Sequence, residues 1–316
     1  MSFDDIKGQE RAVSFLKNSI ALQRIANAYI FCGSEGIGKR LAALNFAKAI
    51  NCPRPIGESG CDSCPSCAKI ASLNHPDVFL ASPEKTGGSV KIDDIRAIIE
   101  DVGLKPYEAK KKVYIIDEAN SLTEEAANAL LKTLEEPSAD ATLILITESP
   151  AGLLPTIRSR CQVVKFFALD CAIVKEILMK DHGLDEVMAH VLANISCGRM
   201  SQALRFKDGD FFRKRESMIN ALSSDAFSDL DFDKTSKIDL KALLDIMLIW
   251  YRDIMVTKTG DRGVVNIDKM DLISRASEKI GFDKLDNVIR RIISTQIYLD
   301  QNANPKLAMA ALGLVL

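Results

Sequence analysis

The segment that decides the fold is Gly33-Ser34-Glu35-Gly36-Ile37-Gly38-Lys39-Arg40. It follows the apolar run Ala28-Tyr29-Ile30-Phe31, which predicts a strand, and it precedes an apolar-periodic segment that predicts a helix. In this context a glycine-rich loop wraps phosphates with backbone N–H groups, and the positive end of the helix adds to the attraction. The predicted nucleotide-binding residues are Gly33, Gly36, Gly38 and Lys39, of which Lys39 supplies the charge for the β- and γ-phosphates.

The residue after Lys39 departs from the usual pattern of such loops. A complete phosphate loop has Ser or Thr there, because the hydroxyl binds Mg²⁺. Arg40 stands at this position, and an arginine ligates no cation and adds a like charge. The sequence therefore predicts the fold of a phosphate-binding loop, leaves binding of ATP with Mg²⁺ open, and favours weak or absent hydrolysis.

Three more apolar runs predict strands of the same sheet: Lys112 to Asp117, Thr142 to Thr147, and Gln162 to Phe166. Between the first two lies a helix that Thr123 caps and Pro137 ends. Continuous apolar strands that alternate with helices are typical of a parallel sheet covered on both faces. The predicted fold class is a doubly wound α/β domain.

Polar residues close two of these strands. Asp117 and Glu118 end the first, where one acid can hold Mg²⁺ through water and the next can polarise an attacking water. Thr147 ends the second; its hydroxyl either touches a γ-phosphate or caps the turn, and both interpretations stay open.

Composition excludes several classes of protein. The 316 residues are 47% hydrophobic and 27% charged, as in ordinary globular proteins, and not as in disordered or collagen-like ones. With 41 basic and 43 acidic residues the net charge is −2, so no overall basic field indicates binding to nucleic acid. No apolar run approaches the ~18 residues of a membrane span, and the amino terminus lacks a secretory apolar core. We expect a cytoplasmic protein with no membrane partner.

The strand pattern disappears after about residue 166, which predicts three domains. Residues 1–166 form the α/β domain, residues 167–207 a small helical domain, and residues 208–316 a larger all-helical domain.

Four cysteines cluster in the first domain with the spacing Cys52-x8-Cys61-x2-Cys64-x2-Cys67. Nested Cys-x2-Cys steps let one loop surround a tetrahedral ion, and four thiolates leave no open position for catalysis. A structural Zn²⁺ site at 52–67 is the predicted cofactor, with an iron–sulfur cluster as the remaining alternative.

Several motifs together resemble the clamp-loader branch of the AAA+ proteins. They are Phe3 to Glu10, Asp117-Glu118-Ala119-Asn120, Ala126 to Pro137, and Leu154-Pro155-Thr156-Ile157-Arg158-Ser159-Arg160-Cys161. The resemblance implies a bacterial protein with a P-loop AAA+ domain, an inserted zinc module, a helical lid and an oligomerising collar. It also implies partners: the gamma/tau and delta subunits of DNA polymerase III, the sliding clamp, and primer–template DNA within the assembly.

The same resemblance implies roles for single residues. Arg160, in the Ser159-Arg160-Cys161 motif, corresponds to an arginine that acts in trans on the ATP of a neighbouring subunit. A guanidinium suits that role because it is permanently charged and forks toward phosphate oxygens. Asp117 and Glu118 correspond to a degenerate form of the family's acidic motif, and Thr147 is sensor-like.

Two departures from the family pattern separate motor from non-motor subunits. Arg40 stands where a motor keeps Ser or Thr, and Ser201 in Gly198-Arg199-Met200-Ser201-Gln202-Ala203-Leu204 stands where a motor's lid carries arginine. They favour a non-motor, stator-like subunit that assists ATP-dependent loading of the clamp on primed DNA and does not itself polymerise.

Two alternatives stay open. One is an active ATPase motor of the gamma/tau kind, in which water ligands compensate for Arg40. The other is a zinc-dependent DNA-binding module that uses the fold as a scaffold, against which the charge balance argues.

Overall fold

The structure is a computed structural model of the chain, and its contacts divide into two compact units. It describes residues 2–83, 88–224, 227, 237–261, 263–301 and 303–314, with only the backbone at 237–239. The first unit holds residues up to Ile173 together with Arg199–Ser201, and the second holds Val174–Gly198 and the residues from Gln202 onward. The three-domain division stays a prediction.

The first unit alternates strands and helices. In chain order they are α1 (Glu10–Ala21), β1 (Ala28–Cys32), α2 (Lys39–Asn51), α3 (Pro65–Ala71), β2 (Val78–Ala81), α4 (Ile92–Val102), β3 (Lys112–Ile116), α5 (Glu124–Glu135), β4 (Ala141–Thr147), α6 (Pro155–Arg158) and β5 (Gln162–Lys165). Helix α7 (Cys171–His182) begins here and continues into the second unit.

The five strands form one parallel sheet in the order β2-β3-β4-β1-β5. Every residue of β1, β3 and β4 is buried, which agrees with their unbroken apolar sequences. Residues of alternating parity feed two cores. Phe31 and Phe46 of α2 belong to the core on one face, and Ile30 and Leu130 of α5 belong to the core on the other. The prediction of a doubly wound α/β domain is confirmed.

Helix α5 has the predicted boundaries for the predicted reasons. The Thr123 side chain accepts a hydrogen bond from the amide of Ala126 at 3.2 Å, which caps the amino end. The helix ends at Glu135, two residues before Pro137, because a proline disfavours helical backbone in the residue before it.

The second unit is helical throughout the part of the chain that the structure describes. After α7 come α8 (Glu186–Ile195), α9 (Met200–Asp208), α10 (Phe211–Ser223), α11 (Lys237–Lys258), α12 (Met270–Lys279), α13 (Phe282–Asp300) and α14 (Pro305–Gly313), of which α9 begins with two residues of the first unit. Helix α11 packs against α10, α12 and α13, and Trp250 on it is fully buried. Among the described residues, no helix combines the length and apolar character needed to cross a bilayer.

Candidate functional sites

The glycine-rich loop connects β1 to α2 at the carboxyl edge of the sheet. Gly33 donates its amide hydrogen to the Thr147 carbonyl at 3.2 Å and has a φ of +146°. A Cβ there would lie 2.3 Å from the Phe166 carbonyl oxygen, so only glycine fits. Gly36 and Gly38 also have positive φ, and Gly38 is the residue before the first turn of α2.

Lys39, the predicted phosphate-binding lysine, is buried inside its own loop. Its Nζ donates hydrogen bonds to the carbonyl oxygens of Gly33 and Ser34, the second at 2.7 Å. Burial lowers the pKa of the ammonium group, while the carboxylates of Glu148 and Asp117 act in the opposite direction. Because two loop carbonyls hold this cation, a phosphate would have to displace them.

Arg40 points its guanidinium toward the acidic motif. Its Nη1 lies 4.0 Å from Oδ2 of Asp117, and the amide of Glu118 donates to Oδ1 of the same carboxylate at 3.0 Å. The Arg40 cation therefore faces the carboxylate that would hold Mg²⁺ through water. The Arg40 guanidinium thus lies beside the Asp117 carboxylate at the mouth of the glycine-rich loop.

A cavity of about 520 Å³ surrounds these groups, and its charge is unfavourable for a polyphosphate. Two cations line it, Lys39 and Arg40. Four carboxylates also line it: Glu35, Asp117, Glu118 and Glu148. Burial raises the pKa of Glu118, and the carboxylates of Asp117, Glu35 and Glu148 raise it further. Negative charge thus exceeds positive charge around the loop.

The predicted sensor and the lid residue both reach this cavity. Thr147 is buried and its hydroxyl donates to the Ser149 carbonyl at 3.0 Å, so it caps the turn after β4. The Ser201 amide donates to the Gly36 carbonyl at 3.3 Å, and a Cβ on Gly36 would lie 1.9 Å from the Ser201 hydroxyl oxygen. Ser201 therefore contacts the glycine-rich loop directly at Gly36, through both its backbone amide and its hydroxyl group.

Arg160 lies at the opposite edge of the sheet. It comes just before β5, and it lines a cavity of about 330 Å³ with Ala28 at the start of β1 and Gln162 at the start of β5. Strands of a parallel sheet share one direction, so this is the amino edge, whereas Lys39 and Asp117 follow strands and Thr147 ends one at the carboxyl edge. A strand of five residues separates the two edges by ~16 Å.

The contacts of Arg160 were not foreseen from the sequence. Its Nη1 donates to the Thr156 carbonyl at 3.0 Å and its Nη2 to Oε1 of Glu135 at 2.8 Å. The arginine and the glutamate are 25 positions apart, a separation with no periodic signal of contact.

The four clustered cysteines meet as predicted. Their Sγ atoms all lie within 4.8 Å of one another. Tetrahedral Zn²⁺ with Zn–S distances of ~2.3 Å would separate its sulfurs by ~3.8 Å, so a small closure accommodates the ion. Cys52 follows the last residue of α2 and Cys64 precedes the first of α3, so two helix ends hold the cluster.

Backbone amides support these sulfurs. The amides of Cys61, Cys64 and Cys67 donate to the sulfurs of Cys52, Cys61 and Cys64 at 3.3 to 3.4 Å, which favours thiolates. Hydrogen bonds from Ser63 lower the pKa of Cys61 to about 6, while burial raises that of Cys67 to about 12. Metal binding must therefore release the Cys67 proton, and affinity should rise with pH.

Comparison with known proteins supplies the family. A model described as "DNA polymerase III, delta subunit" matches residues 8–170, and one described as "DNA polymerase III, delta subunit, C terminal" matches residues 209–314. The DNA polymerase III subunit delta' of Bacillus subtilis is 32% identical, covering 98% of this chain and 96% of the relative. The chain belongs to the DNA polymerase III delta-prime family of clamp-loader subunits.

Other relatives of this delta-prime family member are tau subunits of DNA polymerase III. The DNA polymerase III subunit tau of Bacillus subtilis is 32% identical over 91% of this chain, which spans about half (56%) of that relative. Among solved structures, a DNA polymerase III gamma subunit-related protein from Thermotoga maritima matches with a TM-score of 0.49 and 20% identity, covering 96% of this chain and 97% of that one. That structural likeness adds nothing about function.

The family assignment confirms the expected clamp-loader resemblance and the AAA+ fold. The Cys52, Cys61, Cys64 and Cys67 cluster is compatible with the zinc module that the resemblance implies.

Proposed function

We propose that this chain is a non-motor, stator-like subunit of the DNA polymerase III clamp loader. It supplies Arg160 to the ATP site of a neighbouring subunit and so assists ATP-dependent loading of the sliding clamp on primed DNA. Its partners are the gamma/tau and delta subunits, the clamp, and primer–template DNA within the assembly. The observation that carries the proposal is the position of Arg160 at the amino edge of the sheet.

The sheet itself keeps Arg160 away from its own phosphate loop. The two sites lie at opposite ends of β1, ~16 Å apart along the strand, which exceeds the length of an arginine side chain. Arg160 is nevertheless partly exposed. If this guanidinium meets a triphosphate, that triphosphate belongs to another subunit.

The chain's own pocket supports the non-motor assignment. Lys39 is held by loop carbonyls, Arg40 faces Asp117 where a cation would bind, and the surrounding carboxylates outnumber the cations. Phosphoryl transfer depends on metal and cationic groups that neutralise developing charge. A pocket of this kind is a poor hydrolase.

Zinc is proposed as a structural cofactor of the first unit. Cys52, Cys61, Cys64 and Cys67 would hold it with four thiolates, which leaves the ion no position for substrate. Bound there, it would join the end of α2 to the start of α3.

Arg160→Ala tests the proposed trans role. The variant chain is reconstituted with candidate gamma/tau and delta subunits, and ATP hydrolysis by the assembly is measured. We expect turnover at the adjacent site to fall by about 10³-fold or more, because an arginine finger contributes 10³ to 10⁵. Arg158→Ala, also exposed and in the same turn, is the matched control. Equal turnover in the Arg160 variant and wild type would refute the role.

An active motor subunit is the second candidate. The similarity to a tau subunit and the retention of Lys39, Asp117 and Glu118 around one cavity favour it. Steady-state ATP hydrolysis by the isolated chain separates the candidates: turnover at a motor's rate supports the second, and none supports the first.

A further inference from the structure

The ion pair between Arg160 and Glu135 links the proposed trans-acting residue to the end of helix α5. Glu135 Oε1 accepts from Nη2 of Arg160 at 2.8 Å, and the two side chains are 51% and 35% exposed. The pair is therefore open to an approaching surface. Both residues lie in motifs that the family resemblance picked out for other reasons.

Glu135 is not needed to hold the arginine in place. The Thr156 carbonyl accepts from Nη1 at 3.0 Å and the Ser159 hydroxyl oxygen lies 3.4 Å from the same nitrogen. The turn that carries Arg160 thus already fixes one side of the guanidinium. Nε and the second hydrogen of Nη2 have no partner among the residues that the structure describes.

Helix stability does not explain Glu135 either. It is the last residue of α5, where the helix dipole presents partial negative charge and a carboxylate is unfavourable. A glutamine would remove that repulsion without shortening the side chain. The carboxylate is thus a charge whose clearest partner is the guanidinium.

We propose that Glu135 restrains Arg160 by competing with the triphosphate of the neighbouring subunit for its guanidinium. The inference rests on the proposed function. When no neighbour is engaged, Nη2 of Arg160 donates its hydrogen bond to the Glu135 carboxylate. When the neighbouring subunit carries ATP, Nη2 donates to the phosphate oxygens of that ATP instead. Arg160 is then offered to ATP only when the phosphate outcompetes Glu135.

This competition should affect the ATP concentration needed for half-maximal turnover more than the rate of the chemical step. Removing the competitor makes engagement easier, but leaves the engaged guanidinium as it was. We therefore expect Glu135→Gln to lower the ATP concentration for half-maximal turnover by about 2- to 5-fold, equivalent to ~0.4–1 kcal/mol at ~1.4 kcal/mol per tenfold. The maximal rate should stay within about twofold of wild type.

The experiment measures ATP hydrolysis against ATP concentration in the reconstituted assembly. Four chains are compared with wild type: Glu135→Gln, the double variant Glu135→Gln with Arg160→Ala, Arg160→Ala, and Glu136→Gln as the matched control. Glu136 is the adjacent exposed acid, and it forms no ion pair among the described residues. ATP hydrolysis that depends on Arg160 is the difference between wild type and Arg160→Ala. For that component, Glu135→Gln should lower the ATP concentration that gives half-maximal turnover.

The outcomes separate the two proposals. A loss of maximal rate in Glu135→Gln would make Glu135 a positioning residue, and no change would leave it without a role; either result overturns the inference while Arg160→Ala still shows its loss. If Arg160→Ala has no effect, the proposed function fails first. The proposal also requires the double variant to show the same maximal rate and the same half-maximal ATP concentration as Arg160→Ala. Without the arginine, Glu135 has no guanidinium to compete for.

Discussion

Arg40 puts a permanent positive charge beside the carboxylate of Asp117, with 4.0 Å between Nη1 and Oδ2. A cation held through water by Asp117 would have to approach that guanidinium, and no hydroxyl is present to share its coordination. Half of the Arg40 side chain is exposed, so the group can be replaced without disturbing the core.

Arg40→Ser should restore a Mg²⁺ effect on nucleotide binding. In wild type we expect affinity for ATP to be the same with and without Mg²⁺, whereas the variant should bind about tenfold more tightly with it, since the hydroxyl is a ligand and the repulsion is gone. Equilibrium titration with a fluorescent ATP analogue measures both. Arg24→Ser, at an exposed position outside the loop, is the control. A variant indifferent to Mg²⁺ would show that Arg40 is not what excludes the metal.

At the level of elements, the four-cysteine loop joins the ends of two helices. Cys67 is fully buried in α3, and a Cβ on Gly60 would lie 3.1 Å from its sulfur, so the loop is closely packed around the cluster. The sulfurs are therefore part of the packing as well as candidate ligands.

Cys67→Ser should abolish stoichiometric zinc and destabilise the fold. We expect one zinc per wild-type chain by elemental analysis, and a loss of unfolding free energy beyond the ~3 kcal/mol of ordinary substitutions. The control is Cys197→Ser, because Cys197 is exposed and outside the cluster. Urea unfolding with and without a chelator measures the effect; a wild-type chain indifferent to chelation would contradict a structural ion.

A buried polar connection ties α10 to the turn before α12. Arg215 is 3% exposed and donates to Asn266 Oδ1 and to both carboxylate oxygens of Asp268. Burial alone would raise the pKa of Asp268, but the hydrogen bonds and charge of Arg215 outweigh it and lower that pKa. The pair therefore stabilises the fold above the unfolded-state pKa of ~3.9 and loses this effect as pH falls through the folded-state value.

Arg215→Met should cost ~3 kcal/mol at neutral pH, because it leaves a partly buried carboxylate without its cation. The deficit should begin to shrink as pH falls below the unfolded-state pKa of ~3.9, because the unfolded chain then binds a proton that the folded wild-type Asp268 takes up only at lower pH. Urea unfolding at pH 7 and pH 3.5 compares the variant with Arg213→Met, whose exposed pair with Asp210 should matter by less than ~1 kcal/mol. A deficit that stays constant over this range would refute the electrostatic account.

For the whole molecule, charge balance argues against an independent DNA-binding module. With 41 basic and 43 acidic residues, the isolated chain should bind primed duplex weakly, and its affinity should change little between 50 and 200 mM salt. Fluorescence anisotropy on a primed oligonucleotide measures this. A steep salt dependence that zinc chelation abolishes would instead support the scaffold alternative.

The strands and the cysteine cluster could be predicted, because both have local signals. Unbroken apolar runs identified β3 and β4, and the spacing from Cys52 to Cys67 identified a wrapped site. The order of strands has no such signal, so the sequence alone left open that Arg160 lies across the sheet from Lys39. Its pairing with Glu135 likewise depends on how α5 ends beside α6, which is a tertiary contact.

The placement of Arg160 and the phosphate loop on opposite rims gives the first unit a polarity. Subunits that supply a residue from one edge of the sheet to a site at the opposite edge of the next subunit associate head to tail. Such a row ends at a subunit that has no site of its own to be completed. If Arg160 acts as proposed, this chain supplies an arginine to a neighbour's ATP site but needs none at its own, because its loop has Arg40 in place of the hydroxyl residue that binds Mg²⁺. On that proposal, the chain would lie at one end of a row of ATP sites.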